Sequence, residues 1–198
     1  VTAASLLMLL AVARSASATP VDDATAVIER LQAALVAAAA VQPDPGHAGR
    51  YERLAPVIAE THDLETMGRL TVRRFWRDWS EAERAAFTAA FERLSIATYA
   101  SRFAAVGPET FGIVGGAADG EARVEVRSLV KRKEGDDVPI DYLLQLEDGD
   151  WRIINVFADG ASELSLMASE YYSILESGGF EALLAELESR IAALETPA

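Results

Sequence analysis

Apolar positions recur three and four residues apart over the first half of the chain and then every second residue, so helices are predicted before strands. From Asp22 to Val41 the residues Val27, Leu31, Ala34, Leu35 and Ala38 share a helical face, and Gln42-Pro43-Asp44-Pro45-Gly46 ends it. A second helix is expected over His47–Glu60, interrupted by Pro56. His62-Asp63-Leu64 opens a third, with Asp63 as N-cap and Leu64, Met67, Leu70, Phe75 and Trp76 as its apolar side. The fourth is the clearest, Ser80 to about Val106. Ser80 and Glu83 have capping-box spacing, Phe87, Phe91, Leu94, Thr98 and Ala105 lie near one face with Tyr99 and Phe103 beside it, and Gly107-Pro108 stops it.

From Glu109 the period is two. Phe111-Ile113, Val124-Val126-Ser128-Val130, Ile140-Tyr142-Leu144-Leu146 and Trp151-Ile153-Asn155-Phe157 alternate as strands. Turn residues at Ala118-Asp119-Gly120, Lys133 to Asp137 and Asp148-Gly149-Asp150 separate them, and connections this short join antiparallel neighbours. Helix returns over Glu163–Glu176 and Phe180–Leu194, with Gly178-Gly179 between. The order predicts an α+β fold in which helices clasp a curved antiparallel meander of about four strands.

Composition narrows the function. Leu6 to Ala13 is an apolar run followed by Ala16-Ser17-Ala18, which reads as a secretory signal cleaved after Ala18. The remainder, 19–198, has the size of one domain. The chain carries 31 acidic against 18 basic residues, net −13, which repels nucleic acid; no nucleic-acid partner is expected. It has no cysteine, which excludes disulfides and thiol chemistry, and its two histidines, His47 and His62, are expected as solvated residues in or beside loops rather than metal ligands. No metal or cofactor is expected. Neither H-E-x-x-H nor G-x-S-x-G nor a phosphate-binding glycine loop is present, and Gly112-x-x-Gly115-Gly116 lacks the following Lys and Ser/Thr. An acid–base enzyme with a buried carboxylate in an apolar pocket is the remaining enzymatic possibility. Asp141 beside Tyr142 suggests it, but neighbours on a strand point to opposite faces, which leaves Asp159 and Asn155.

Several segments together resemble one family. They are His62-Asp63-Leu64 with Met67 and Arg69; Trp76; Ser80, Glu83-Arg84, Phe87 and Ala90-Phe91; Tyr99; Asp141-Tyr142; and Trp151-Arg152 with Asp159-Gly160-Ala161-Ser162. Over about residues 22–194 the chain resembles the MlaC, or toluene-tolerance, family: the periplasmic phospholipid-binding component of a bacterial ABC lipid-transport system. The resemblance implies a non-enzymatic, monomeric carrier that holds acyl tails in an apolar pocket between helices and sheet. It also implies delivery between an outer-membrane lipoprotein complex and an inner-membrane ABC transporter with an MCE-domain partner, which maintains outer-membrane lipid asymmetry. Two departures stand out: Ile154-Asn155 where family members commonly carry Asp after the Trp, and Ala161 in place of a common Val. Ser162-Glu163-Leu164 looks closer to hopanoid-associated branches, so another amphiphile such as a hopanoid is the alternative cargo, and an adaptor with a filled core is the non-carrier alternative.

Enclosure is a physical requirement of such a role. A diacyl lipid has about 30 methylenes at about 0.8 kcal/mol each, so exposing both tails to water costs about 20–25 kcal/mol. The residues expected to line the pocket are Phe91, Leu94, Tyr99, Phe103, Phe111, Val124, Val126, Ile140, Tyr142, Leu144, Val156, Leu164, Met167 and Tyr171. Arg69, Arg73, Arg74 and Arg77 form a local basic patch, expected to meet a lipid phosphate or an acidic partner surface. Trp76, Trp79 and Trp151 are expected as packing anchors, with the lining of a pocket mouth as the alternative.

Overall fold

A computed structural model describes residues 19–132 and 134–195; the expected leader and its cleavage site lie outside them. Four helices come first: α1 (Pro20–Ala39), α2 (Gly46–Thr61), α3 (Leu64–Trp76) and α4 (Glu81–Arg102). Strands β1 (Phe111–Ala118), β2 (Arg123–Val130), β3 (Val138–Glu147), β4 (Asp150–Ala158) and β5 (Ala161–Ser162) form one antiparallel sheet in sequence order, and α5 (Glu163–Glu195) closes the chain. The architecture is the α+β meander with helices that the alternating pattern predicts, with a two-residue fifth strand added where β4 turns back through Asp159 and Gly160.

Local chemistry sets most helix starts. Thr19 and Asp22 form a capping box at α1, and Ser80 and Glu83 another at α4. Asp63 accepts from the Thr66 N–H at 2.9 Å, as its N-cap role requires. Two boundaries differ from expectation. α2 runs unbroken through Pro56, because Pro56 and Glu52 lie on the exposed face and water can meet the carbonyl that the proline leaves unpaired. α4 ends at Arg102, short of Val106, and the buried Arg50 of α2 donates to its terminal carbonyl Ala100 O at 2.9 Å, while His47 Nε2 lies 3.0 Å from Ala97 O one turn earlier.

One face of the sheet is buried. Val124, Val126 and Ser128 on β2 alternate with exposed Arg123, Glu125 and Arg127, and across the ladder Val126, Tyr142 and Val156 are aligned. On β4 the expected alternation Trp151-Ile153-Asn155-Phe157 fails. A bulge leaves Ile154 without a partner between the pairs Leu143–Asn155 and Leu144–Ile153, so the inward set becomes Trp151, Ile153 and Val156, while Asn155 faces the other side. Helix α1 packs on β1, β2 and β4, and α5 packs on α4, α3 and β4.

The two halves of α5 are folded against each other. Gly179 has φ 72 and ψ −167, a conformation open essentially to glycine alone, and the break falls where Gly178-Gly179 predicts it. Glu170 and Arg190 form an ion pair across this bend. In a straight helix they would stand about 30 Å apart. Among the described residues no helix is long and apolar enough to cross a membrane.

Candidate functional site

The bend in α5 makes a cavity of about 550 Å³. Its walls come from a stripe on α4 (Phe91, Leu94, Ser95, Thr98, Tyr99, Arg102), from His62, Leu64 and Met67, from Val156 on β4, and from both halves of α5 (Glu163, Leu166, Met167, Glu170, Tyr171; Arg190, Ala193, Leu194). Of the lining residues, Arg102, Leu166, Glu170 and Ala193 are exposed. Charges at the rim are paired: Arg102 with Glu163 at 2.6 Å, and Arg190 with both Glu170 and Glu186. The charged groups that line the cavity itself, Arg102, Glu163, Glu170 and Arg190, therefore balance despite the acidity of the chain.

Apart from the hydroxyls of Ser95 and Thr98, which bond back to Phe91 O and Leu94 O on α4, the interior wall is apolar around one polar cluster. His62 is buried, held on β4 by the Asp63 N–H bond to Ile153 O. Thr61 Oγ1 spends its proton on Val57 O at 2.7 Å, so the imidazole Nδ1–H is the donor that faces Thr61 Oγ1 at 3.0 Å and Ile58 O at 3.2 Å. Nε2 is then an acceptor, and Tyr99 OH donates to it at 3.0 Å. Burial pulls the His62 pKa down to about 4 and pushes the Tyr99 phenol well above its ordinary value, so both are neutral at pH 7. Tyr171 is also buried, and its hydroxyl has no hydrogen-bond partner among the described residues.

Of the residues expected to line a pocket, Phe91, Leu94, Tyr99, Val156, Met167 and Tyr171 meet at this cavity. Leu164 lies on the other side of α5, in a separate groove. Val124, Val126, Tyr142 and Leu144 are buried in the sheet-facing core, and Phe111 and Ile140 pack half-buried against it. Phe103 stacks on Tyr99 at 5.8 Å and reaches Phe111 at 5.7 Å, outside the cavity wall. Periodicity reports that a face is covered, and a core side chain and a cavity wall give the same signal.

The arginines expected as a basic patch, Arg69, Arg73 and Arg74 on α3 and Arg77 at its C-cap, have different surroundings, and none lines the cavity. Arg74 pairs with Glu176 and lies over Phe75 and Tyr172, at 4.7 and 5.1 Å from the ring centres. Arg69 and Arg77 are exposed, and Arg73 lines the separate groove. Arg69 and Arg73 are one turn apart on one face of α3, and Arg74, the next residue, is turned about 100° from Arg73. Neither histidine is a solvated loop residue: His47 is half-buried within α2, and His62 is in the core. Trp79 packs on Phe87 and Phe180 at 5.2 and 4.9 Å, and Trp76 joins them, as packing anchors do. The candidates for acid–base chemistry are elsewhere. Asp159 is exposed in the β4–β5 turn, Asn155 bonds to Ser162, and neither they nor Asp141 lines the cavity. Among the described residues no group of three or more His, Asp or Glu could hold a metal ion.

Residues that the pattern alone misses include Ser95, Thr98 as a wall residue, and Arg102. They continue the α4 stripe of Phe91, Leu94 and Tyr99 at steps of three and four, which is the signal that could have found them. Arg190 and Glu170 have no such signal, because only the bend at Gly179 brings them together.

A family model described as MlaC protein matches residues 25–189. The chain belongs to the MlaC family. A solved structure with the same fold is the phospholipid-binding protein of Ralstonia solanacearum, determined in complex with a phospholipid. It is 22% identical, covers 88% of this chain and 99% of its own, and superposes with a TM-score of 0.77. No curated protein matches the sequence. In this MlaC-family chain the family match begins within α1 and ends within α5, so it takes in the whole sheet and most of the cavity wall, while Arg190, Ala193 and Leu194 lie beyond it.

Proposed function

We propose that this protein is a soluble periplasmic carrier that binds a phospholipid by its acyl tails in the α4–α5 cavity. The observation that supports it most is the cavity itself: about 550 Å³, walled by Phe91, Leu94, Val156, Leu166, Met167 and Leu194, in a chain of the MlaC family. That volume lies within the range of about 300–1,000 Å³ usual for small-molecule sites. Apolar walls remove methylenes from water, and the paired Arg and Glu side chains at the cavity let a head group stay in solvent near the opening. Family membership supports the wider role, in which the carrier is secreted, leaves the lipid chemically unchanged, and moves it between an outer-membrane lipoprotein complex and an inner-membrane MCE-domain/ABC transporter. The exposed Arg69 of α3 and Arg77 at its C-cap are suited to docking on an acidic partner surface.

The test is organic extraction of the purified protein followed by mass spectrometry. Wild-type protein should release about one phospholipid per chain, and Ser95→Trp, which puts an indole into the cavity wall, should lower that occupancy several-fold while leaving the circular dichroism unchanged. A triterpenoid in the extract would reassign the cargo to a hopanoid. An extract free of any lipid would reject the carrier reading.

A further inference from the structure

A second groove, about 610 Å³, lies on the other side of the first half of α5, bounded by α3 and by residues of β2, β3 and β4. No carboxylate lines it, although the chain has 31 acidic residues. Two guanidinium groups do: Arg73 from α3 and Arg123 from the start of β2. Five arginines elsewhere, Arg50, Arg74, Arg93, Arg102 and Arg190, are matched to carboxylates. The side chains of Arg73 and Arg123 have neither a hydrogen bond nor an ion pair among the described residues. Two cations gathered in one groove repel each other, and an anion between them removes that cost.

The opposite wall carries donors. Ser165, Ser169 and Tyr172 follow one another at steps of four and three, on one face of α5, and all three line the groove. Their hydroxyls are also without hydrogen bonds among the described residues. A guanidinium fork matches the tetrahedral oxygens of a phosphate in pairs, and hydroxyls complete its shell. We propose that this groove is a phosphate-binding site, in which the phosphate of a lipid head group or a free phosphate anion is held between Arg73 and Arg123 and faces the hydroxyls of Ser165, Ser169 and Tyr172. The proposal does not depend on the α4–α5 cavity holding tails.

The experiment is calorimetric titration of the delipidated protein with inorganic phosphate and, separately, with dihexanoylphosphatidylglycerol, alongside phosphate-free dihexanoylglycerol. Arg73→Gln and Arg123→Gln are both exposed substitutions and should leave folding and uptake of a fluorescent fatty acid unchanged. Each should weaken binding of the phosphate-bearing probe by about tenfold, the pair together should abolish it, and added salt should weaken it further. Binding of inorganic phosphate identifies a free-anion site; binding of the short lipid alone identifies a head-group site. Binding of neither phosphate probe, or equal binding by the double variant, overturns the proposal. Capture of an acidic protein with neither probe bound overturns it too, in favour of a docking surface. Fatty-acid uptake reads the cavity independently, so the failure of one site is distinguishable from the failure of the other.

Discussion

His62 sits in an environment far from that of a histidine in water. Its ring is buried, bonded at both nitrogens to neutral partners, and held uncharged. Protonation would convert Nε2 from the acceptor of the Tyr99 hydroxyl into a donor aimed at it, with no carboxylate bonded to either nitrogen. The folded pKa is about 4, below the ordinary 6.5 of the unfolded chain, so the folded state binds fewer protons between those values. The stability that follows is complete above pH 6.5, is lost as the pH falls from there towards 4, and does not change further below 4 on account of this group. Between pH 7.5 and 5 the expected loss is about 2 kcal/mol. Urea unfolding at the two pH values measures it, and His62→Gln should remove that part of the difference. The position of His62 beside Asp63 and Leu64 was legible, since Asp63 caps α3 as expected. Its burial was not, because that depends on β4 and α4, which are distant in sequence.

At the scale of elements, the bend in α5 does most to form the site. It brings Glu170 to Arg190 and lets both halves of one helix wall the same cavity. A Cβ at Gly179 would be held in a region of backbone space that L-residues avoid, although the space around it is open. Gly179→Ala should therefore cost about 1–3 kcal/mol of stability, read by thermal or urea unfolding. The cost arises from backbone strain and not from a clash, so shorter and longer side chains should cost nearly the same. The glycine pair was visible as a break between two helical patterns. Its angle was not, and the angle decides whether the second half runs away from the first or returns along it. The bulge at Ile154 is similar: alternation marked a strand, and one extra residue on that strand sent Val156 to the cavity and Asn155 to the opposite side.

Across the whole molecule, an apolar cavity walled by a bent helix is an unfilled part of the core. A ligand that binds only the folded state stabilises it by about 2.7 kcal/mol when present at about 100 times its dissociation constant. For a domain of this size each kcal/mol raises the melting temperature by about 2–4 °C. Lipid-loaded protein should therefore melt about 5–10 °C above delipidated protein in a calorimetric scan, and Ser95→Trp should narrow the gap from both sides, by filling the cavity and by excluding lipid. The acidity of the chain acts at the same scale. With net charge −13, the molecule is repelled by anionic surfaces at long range.

Sequence alone determined the elements and their order, because capping boxes such as Ser80–Glu83 and the periods of helix and strand are interactions within a few residues of one another. It also determined which faces are covered, as with Val124, Val126 and Ser128. Tertiary structure decided what covers them. Whether Phe91 meets another side chain or open space, whether Arg73 shares a groove with Arg123 or with the other arginines of α3, and which side chain meets Ala100 O at the end of α4 all depend on groups that are far apart in sequence and adjacent only after folding. A hydrophobic pattern records exclusion from water, and exclusion is the same whether a neighbour or a cavity achieves it.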